Sequence, residues 1–502
     1  MNDQKEETLL TKQMKSQFSF FGPASMIYAL FYTFCLYKNA SGITYPFFAV
    51  GTLCYFFLSM KRLGVPYKKD SLFYMTGILM LSISNCCTTS PQLLWMNKLG
   101  IFLLSFILFL HTIYQDAGWN LPKYIGAVFR TIGSLLSCLF MPLKDLASFF
   151  DAQKQKKDDK ESPLTAVIVG IAIAIPLLTV IIVLLGSADV VFRNMIERIL
   201  IPGFSSFDFS FSALIKIAIF TAMVFLASYA LICALCRKNI KEEVPDKRVL
   251  EPVIAITVTG MLSVVYLIFS TIQILYLFIG RMSLPDGYTY SAYARQGFFQ
   301  LLAVCILNLI LVLFCLSFFK DSKVLKIILT IISGCTFIMI LSSVLRMLMY
   351  IARYNLTFLR IFVLWSLAVI FLLMCGVTVT IYCRHFPLFF YSVAVTTVFY
   401  IGLSFSHPDY IVASYNLDPA HMEYLDDYDI HDSKRYLSQL SADAAPILLD
   451  ESRNLYLSGN PNEQEIYDPF YRYYENIMRK ADSMSLRSFN FSLYQAKKSA
   501  GL

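Results

Sequence analysis

Long apolar runs with few charges recur along this chain and constrain its fold more than any other feature. The hydrocarbon core of a bilayer is about 30 Å thick, so a membrane-spanning helix needs about 20 apolar residues in succession. Only 15% of the residues are charged, whereas soluble domains carry about 25%. The sequence therefore predicts an all-α fold, a polytopic transmembrane helical bundle of about 11 spans. These spans are Phe18–Leu36, Ile43–Met60, Ser71–Cys87, Leu93–Tyr114, Leu164–Gly186, Phe209–Cys236, Val253–Gly280, Gly297–Phe319, Val324–Met349, Leu356–Tyr382 and Pro387–Phe405.

If successive spans cross the membrane in alternating directions, lysine and arginine are concentrated in the loops on one side of the membrane. Lysine and arginine are in excess in cytoplasmic loops, so this side is expected to face the cytoplasm. The N-terminus then lies in the cytoplasm, and after an odd number of crossings the C-terminal tail lies outside. The loop residues concerned are Lys61, Arg62, Lys68, Lys69, Lys154, Lys156, Lys157, Lys160, Arg237, Lys238, Lys241, Lys247, Arg248, Lys320, Lys323 and Arg384.

The net charge of +8 is divided unevenly along the chain. Residues 406–502 hold 15 acidic against 9 basic side chains, so the basic excess belongs to the membrane part. There it orients loops, and we read the expected partner as the lipid bilayer and not nucleic acid.

Composition divides the chain into four units. Residues 1–115 form a four-span N-terminal unit and residues 163–405 a seven-span C-terminal unit. Between them, residues 116–162 contain a basic, amphipathic stretch at 121–150 that fits a helix in the membrane interface, followed by a charged cytoplasmic linker. Residues 406–502 contain enough aromatic residues and leucine for a small extracytoplasmic helical cap, with a helical pattern over 433–449.

Four arginines, Arg295, Arg346, Arg353 and Arg360, lie at or near the ends of apolar runs. A cation at the centre of a membrane helix costs about 2.5–3.5 kcal/mol on insertion scales, so such residues usually face a partner or a cavity. These arginines could bind an anion, such as a lipid phosphate, a polyprenyl phosphate or a carboxylate. They could instead clamp the tail to the bundle through Asp443 or other tail carboxylates, or extend their side chains to the interface.

Outer loops supply polar partners for these arginines. Asp189 and Asp286 could act as a general base beside Tyr288 or Tyr290, but salt bridges at helix ends explain the same carboxylates. No catalytic residue is therefore assigned.

No metal site and no cofactor is predicted. The acidic stretch from Asp418 to Asp432 contains His421 and His431, but its spacing matches no calcium loop, and a solvated loop explains it. Most cysteines lie inside apolar runs as small hydrophobic residues.

Two short segments echo each other. The sequence YIARYNL at 350–356 resembles YIVASYNL at 410–417, and each follows the outer end of a span. The echo suggests that the chain leaves the membrane in the same way at both places.

Four motifs, which follow one another in the order found in the family, resemble those of an uncharacterised family of bacterial multi-pass membrane proteins. They are YSAYARQGFFQLL at 290–302, RMLMYIARYNLTFLRI at 346–361, GSADVVF at 186–192, and YNL at 415–417 followed by YLSQLSADAAPIL at 436–448. The family is known only as a domain of unknown function and is common in Gram-positive anaerobes. The resemblance covers residues 163–502 and implies a bacterial cytoplasmic-membrane location, without an activity or a substrate.

The sequence favours a non-enzymatic envelope component, such as a sensor, an assembly factor or a subunit with a membrane protein partner. Two alternatives stay open. The first is a transporter or flippase of an anionic lipid-linked substrate, with the arginines at its outer gate. The second is a membrane transferase that uses an outer-face carboxylate.

Overall fold

The computed structural model describes residues 8–39, 41–155, 211–244, 248–275, 290–418, 433–449 and 469–500, with isolated positions between 181 and 195. The described chain is helical and contains no strand, only an isolated bridge between Leu250 and Phe319. This confirms the predicted all-α class. The predicted span Leu164–Gly186 lies almost wholly outside the described residues.

Sixteen α-helices are named here in chain order. They are α1 Leu9–Ser16, α2 Phe18–Leu36, α3 Thr44–Arg62, α4 Ser71–Cys87, α5 Pro91–Ile113, α6 Leu121–Cys138, α7 Met141–Gln155, α8 Phe211–Cys236, α9 Pro252–Gln273, α10 Tyr290–Phe318, α11 Lys323–Tyr354, α12 Phe358–Tyr382, α13 Leu388–Phe405, α14 Pro408–Asn416, α15 Pro469–Asp482 and α16 Phe491–Ser499.

Helix starts follow the local sequence. Proline occupies the first turn of α5, α9 and α14, where its missing N–H has no helical partner to lose. The side chains of Asn120, Thr357 and Asn490 cap α6, α12 and α16 by accepting hydrogen bonds from backbone N–H groups of the first turn.

Among the described helices, eight are long and apolar enough to cross a membrane: α2, α5 and α8 to α13. Helices α6 and α7, bent by 46° where they meet, would make a ninth if they formed one span. The protein is thus a multi-pass membrane protein. Of the other predicted spans, α4 is a shorter apolar helix of 17 residues and α3 is not among the eight. The predicted count of 11 is not confirmed.

Most of the basic residues in the described loops of the bundle lie at one end, and we call this end the basic face. It comprises the loops 63–70, 114–120, 237–244, 248–251, 319–322 and 383–387. Direct contacts tie these loops together: Lys68 with Asp116, the Trp119 indole with the Glu242 carbonyl, Leu250 with Phe318, and Arg384 with Asp321.

Helix α6 lies across this face. Near its start, Tyr124 stacks on Phe389 at the beginning of α13, with ring centroids 3.9 Å apart. Near its end, Ser137 accepts a hydrogen bond from Arg237, just after α8. Both ends of α6 therefore contact the same face of the bundle, and the interfacial position of 121–150 stays a prediction.

The opposite end of the bundle carries the tail, and we call it the cap face. Its described loop residues are 37–39, 41–43, 88–90 and 355–357, and the cap is formed by residues 406–418, 433–449 and 469–500. Buried cap residues such as Val412, Leu448 and Tyr473 share one hydrophobic cluster with Met347 and Val363 of the bundle. A shared core means that separating cap and bundle would expose apolar surface to water.

The predicted helix over 433–449 is broken. The chain is helical over 433–437, turns, and restarts with a 3₁₀ turn at Ala442–Ala444. The Ser441 hydroxyl accepts a hydrogen bond from the Asp443 N–H and so starts the new turn. The break places the Asp443 side chain against the bundle.

Candidate functional site at the junction of bundle and cap

Asp443 lies at the centre of the contact between cap and bundle, and its side chain is 0% exposed. Its Oδ1 accepts hydrogen bonds from the Thr89 N–H at 2.8 Å, the Thr89 hydroxyl at 3.1 Å and the Ser492 hydroxyl at 2.6 Å. Its Oδ2 accepts from the Thr88 hydroxyl and lies 3.2 Å from His407 Nδ1. A carboxylate can be buried at low cost only when donors surround it in this way.

The two oxygens draw three separate segments together. Thr88 and Thr89 belong to the loop between α4 and α5, His407 follows α13, and Ser492 lies in the first turn of α16. Asp443 thus joins one bundle loop, between α4 and α5, to two other segments of the cap.

Burial by itself raises the pKa of Asp443, but hydrogen bonds from His407, Ser492, Thr88 and Thr89 outweigh it and hold the pKa below its ordinary value. The same hydrogen bond raises the pKa of His407 above its ordinary value, against the opposing effect of burial. The pair is therefore most stable as imidazolium and carboxylate.

Asp409 is a second buried carboxylate of the cap, 3% exposed, and it accepts a hydrogen bond from the Ser441 N–H at 3.3 Å. Burial raises the pKa of Asp409, and the negative charge of Asp443 adds to the rise although Ser441 opposes it. Of the two carboxylates, Asp409 binds a proton first as the pH falls.

These shifts fix how docking depends on pH. Because its pKa is lowered, ionised Asp443 stabilises the contact of the cap with the bundle, which we call docking. This contribution is fully present above pH 3.8 and is lost as the pH falls through the lowered pKa. Because its pKa is raised, protonated His407 also stabilises the docked cap. This contribution is fully present below pH 6.5 and is lost as the pH rises through the raised pKa. Ionised Asp409 opposes docking, so its raised pKa also favours the acidic side. Docking is therefore strongest between pH 3.8 and 6.5.

Asn490 extends the joint. Its side-chain N–H donates to the Thr88 carbonyl at 2.9 Å, while its side-chain oxygen caps α16 by accepting from the Ser492 N–H at 3.0 Å. The side chain of Asn490 therefore both starts α16 and fixes this helix to the loop between α4 and α5.

Arg487 fastens the cap to the hairpin of α2 and α3. Its guanidinium donates to the carbonyls of Phe34 at 3.3 Å and Tyr37 at 2.8 Å, at the C-terminal end of α2. A cation at this end also complements the helix dipole. Gly42 lets the chains approach here, since a Cβ at Gly42 would lie 2.9 Å from the Arg487 carbonyl oxygen.

The two echoing segments contact each other. Asn416, 2% exposed, donates from Nδ2 to the Leu356 carbonyl at 2.9 Å and accepts at Oδ1 from the Leu356 N–H at 2.8 Å. One amide side chain thus satisfies both backbone groups of a residue in a buried loop. The Tyr-Asn-Leu pattern marks a junction between the two segments as well as their exits from the bundle.

Two of the predicted arginines have described side chains. Arg346 is buried between α9 and α11, 7% exposed, and donates to the Gln273 side-chain oxygen at 3.2 Å. Arg360 donates to the carbonyls of Tyr354 at 2.6 Å and Asn355, and lies over the Tyr350 ring at 4.2 Å. Arg360 therefore closes the C-terminal end of α11, where Asn355 has φ +67°.

Of the other predicted site residues, only Asp189 has a described side-chain contact. Asp189 accepts at Oδ1 from the Phe192 N–H at 3.4 Å, a helix-capping geometry. Tyr290 begins α10, but its side chain and those of Arg295 and Arg353 lie outside the described residues, as do Asp286 and Tyr288. The predicted arginine cluster stays a prediction.

A second buried ionic cluster lies on the basic face. Asp116 Oδ2 accepts from the Tyr124 hydroxyl and lies 2.7 Å from His111 Nδ1, while Lys68 Nζ is 3.6 Å from Oδ1. Lys68 also donates to the Tyr114 carbonyl at 2.6 Å. Together these contacts fix the end of α5 to α6 and to the loop before α4.

Sequence reasoning singled out Asp443 but missed its partners. Thr88 and Thr89 lie in a TTSP stretch between two apolar runs, and such a polar break was a usable signal. His407, Ser492 and Arg487 carry no local signal, because their role depends on where the cap folds back. In the described part of the chain, no three His, Cys, Asp or Glu side chains are grouped to hold a metal ion. The acidic stretch 419–432 is not described.

Residues 75–451 match the family described as a domain of unknown function, DUF4153, over about three-quarters of the chain. The chain belongs to this family. The match confirms the resemblance read from the motifs, and it begins inside α4, so the DUF4153 unit includes α5 and the α6–α7 pair that the motifs did not cover. It ends just after the Asp443 segment, before α15. No curated protein and no solved structure matches the chain.

Proposed function

We propose that this protein is a non-enzymatic component of the bacterial envelope that presents its cap outside the cytoplasm for a protein partner. The observation that carries the proposal is the saturated carboxylate of Asp443. Its two oxygens already accept hydrogen bonds from hydroxyls, an amide and an imidazole. Such a group suits a rigid joint better than a general base, which needs a free lone pair directed at a substrate proton.

The position of the cap supports the same function. The cap lies at the end of the bundle opposite the basic loops, and by the positive-inside rule that end faces outward. The shared core and the contacts of Asp443, Asn416 and Arg487 hold the cap in one orientation. A fixed orientation lowers the entropy that a partner must overcome on binding.

In vivo photo-crosslinking tests this proposal. A photoreactive amino acid is placed at Leu486, which is 93% exposed on the cap, and as a control at Ile268, which is 59% exposed on the membrane helix α9. We expect a discrete protein adduct from position 486, lost when Asp443→Ala releases the cap, and no protein adduct from position 268. Adducts that persist unchanged in Asp443→Ala, or none from 486 or the exposed Tyr494, would contradict it.

One observation favours a second candidate, the transporter or flippase of an anionic lipid-linked substrate. Arg346, Gln273 and Ser342 form a buried polar cluster between two membrane-capable helices, with Ser342 donating to Gln273 Oε1 at 2.6 Å. Buried guanidinium groups between membrane helices often mark a substrate path. Proteoliposome flux of a fluorescent anionic lipid, abolished by Arg346→Gln, would favour this candidate over the first.

A further inference from the structure

A small cavity opens on the basic face, away from the cap. Its volume is about 30 Å³, and it lies where α10 ends, α11 begins and α12 ends. Its floor is apolar and buried, and includes Cys315, Leu325 and Ile381. A pocket of this size can hold a small polar group at its opening, but not a whole metabolite.

The rim of the cavity is cationic. It carries Arg248, Lys320, Lys326 and Arg384. Asp321 lies 3.2 Å from both Lys326 and Arg384, and so holds these two side chains at the opening. Lys320 pairs with Glu251, outside the cavity. Lys320, Lys326 and Arg384 face two carboxylates, Asp321 and Glu251, so these five groups together carry a net positive charge.

The first turn of α11 carries cations where the helix dipole favours anions. Lys323 and Lys326 lie in this turn, which has no acidic residue, and the side chain of the N-cap residue Ser322 makes no capping hydrogen bond. The N-terminal end of a helix bears about half a positive charge, so cations there are unfavourable by themselves. A bound anion would offset this repulsion and would accept from the free N–H groups.

The cavity lies at the level of lipid headgroups. Helices α10, α11 and α12 are all long and apolar enough to cross a membrane, and the cavity joins their ends. Beside it, Val324, Ile327, Val379 and Tyr382 are exposed. An aromatic side chain such as Tyr382 at the end of a membrane helix is typical of the interface. A ligand here meets cations at the headgroup level and apolar side chains below.

We propose that this cavity binds the phosphodiester headgroup of an anionic phospholipid, such as phosphatidylglycerol, from the leaflet that the basic face contacts. The phosphate lies between Lys320, Arg384 and the first turn of α11, and the acyl chains lie along the exposed apolar side chains beside it. Basic pockets between membrane helices commonly select lipids in this way. The site is separate from the arginines of the cap end.

Lipid titration followed by native mass spectrometry tests the site on the full-length protein. The double variant Lys320→Gln with Arg384→Gln removes two rim charges. The control, Lys61→Gln with Lys241→Gln, removes two exposed charges elsewhere on the basic face. A basic side chain near an anionic headgroup is worth about fivefold in affinity, so we expect about thirtyfold weaker binding of phosphatidylglycerol in the rim variant. The control and phosphatidylcholine binding should stay unchanged.

A third variant separates loss of the site from loss of folding. Ser322→Asp places a carboxylate at the N-cap of α11, where it stabilises the helix but occupies the position of the phosphate. We expect this variant to keep its thermal stability and to lose the lipid preference. Equal losses in rim and control variants, or no loss in either, would overturn the proposal. So would displacement of the lipid by millimolar inorganic phosphate, which would identify a site for a free anion instead.

Discussion

Truncating Asp443 tests the joint between cap and bundle directly. Asp443→Ala leaves the Thr89 N–H, the hydroxyls of Thr88, Thr89 and Ser492, and His407 without their acceptor. A buried donor left without its acceptor costs about 1–3 kcal/mol, so the loss of several acceptor contacts together should cost about 3–5 kcal/mol. Asp443→Asn keeps one acceptor oxygen and the side-chain volume, so we expect a smaller loss of about 1.5–3 kcal/mol.

Hydrogen exchange read by mass spectrometry measures this loss segment by segment. For Asp443→Ala we expect amides in 441–449 and in α16 to exchange about 10²–10⁴-fold faster, while α12 stays protected. The matched control is Asp482→Ala, which breaks an exposed cap pair with Lys497 and should cost less than about 1 kcal/mol. Equal acceleration in α12, or no difference between the Asp443 and Asp482 variants, would refute the assignment of Asp443 as the joint.

Three further predictions concern the same interface. Gly42→Ala adds a Cβ 2.9 Å from the Arg487 carbonyl oxygen and should destabilise the cap by about 1–3 kcal/mol. Limited proteolysis should then cleave the chain faster at 484–490. The control is Gly118→Ala, which should be neutral because a Cβ at Gly118 has nothing within 4 Å. Asn416→Leu leaves both backbone groups of Leu356 unsatisfied, so it should lower the free energy of unfolding by about 2–4 kcal/mol. The readout is a lower thermal midpoint, and an unchanged midpoint would disprove that role of Asn416. Exchange protection of the cap should peak between pH 3.8 and 6.5. His407→Gln should reduce the loss on the alkaline side and leave the part that is due to Asp409. A profile identical to wild type would rule out the His407–Asp443 pair as a cause of that loss.

The membrane architecture could be predicted from the sequence because lipid imposes a simple rule. A chain in hydrocarbon must satisfy its backbone internally, so each long apolar run becomes a helix. The runs predicted at Phe18–Leu36 and Leu356–Tyr382 agree with α2 and α12 to within a few residues. The regular placement of basic loops follows from the same alternation.

The joint could be predicted only in part, because its residues are far apart in sequence. Asp443 was identifiable as a lone acidic residue in the apolar segment SADAAPIL, yet its expected partners were arginines and its actual partners include Thr88, His407 and Ser492. Threonine, histidine and serine are common on loops, so only the fold brings them to one point. The echo of Tyr-Asn-Leu was visible, but its meaning as a contact between Asn416 and Leu356 needed the structure.

Arg360 shows how the cost of a buried cation can be met without a ligand. The sequence left an anion site, a clamp on the tail and extension to the interface open for Arg360, and its guanidinium donates to two carbonyls at the end of α11. Unsatisfied carbonyls end every helix, and a nearby arginine is a natural donor to them.

Cysteine labelling in intact cells most directly tests whether the cap lies outside, on the face opposite the basic loops. Leu486→Cys provides a cap thiol at a position that is 93% exposed, and the native Cys383 provides an exposed thiol on the basic face. With a membrane-impermeant maleimide and peptide mapping, position 486 should be labelled in intact cells and Cys383 only after lysis. Labelling of Cys383 in intact cells, with position 486 protected until lysis, would contradict the proposed orientation.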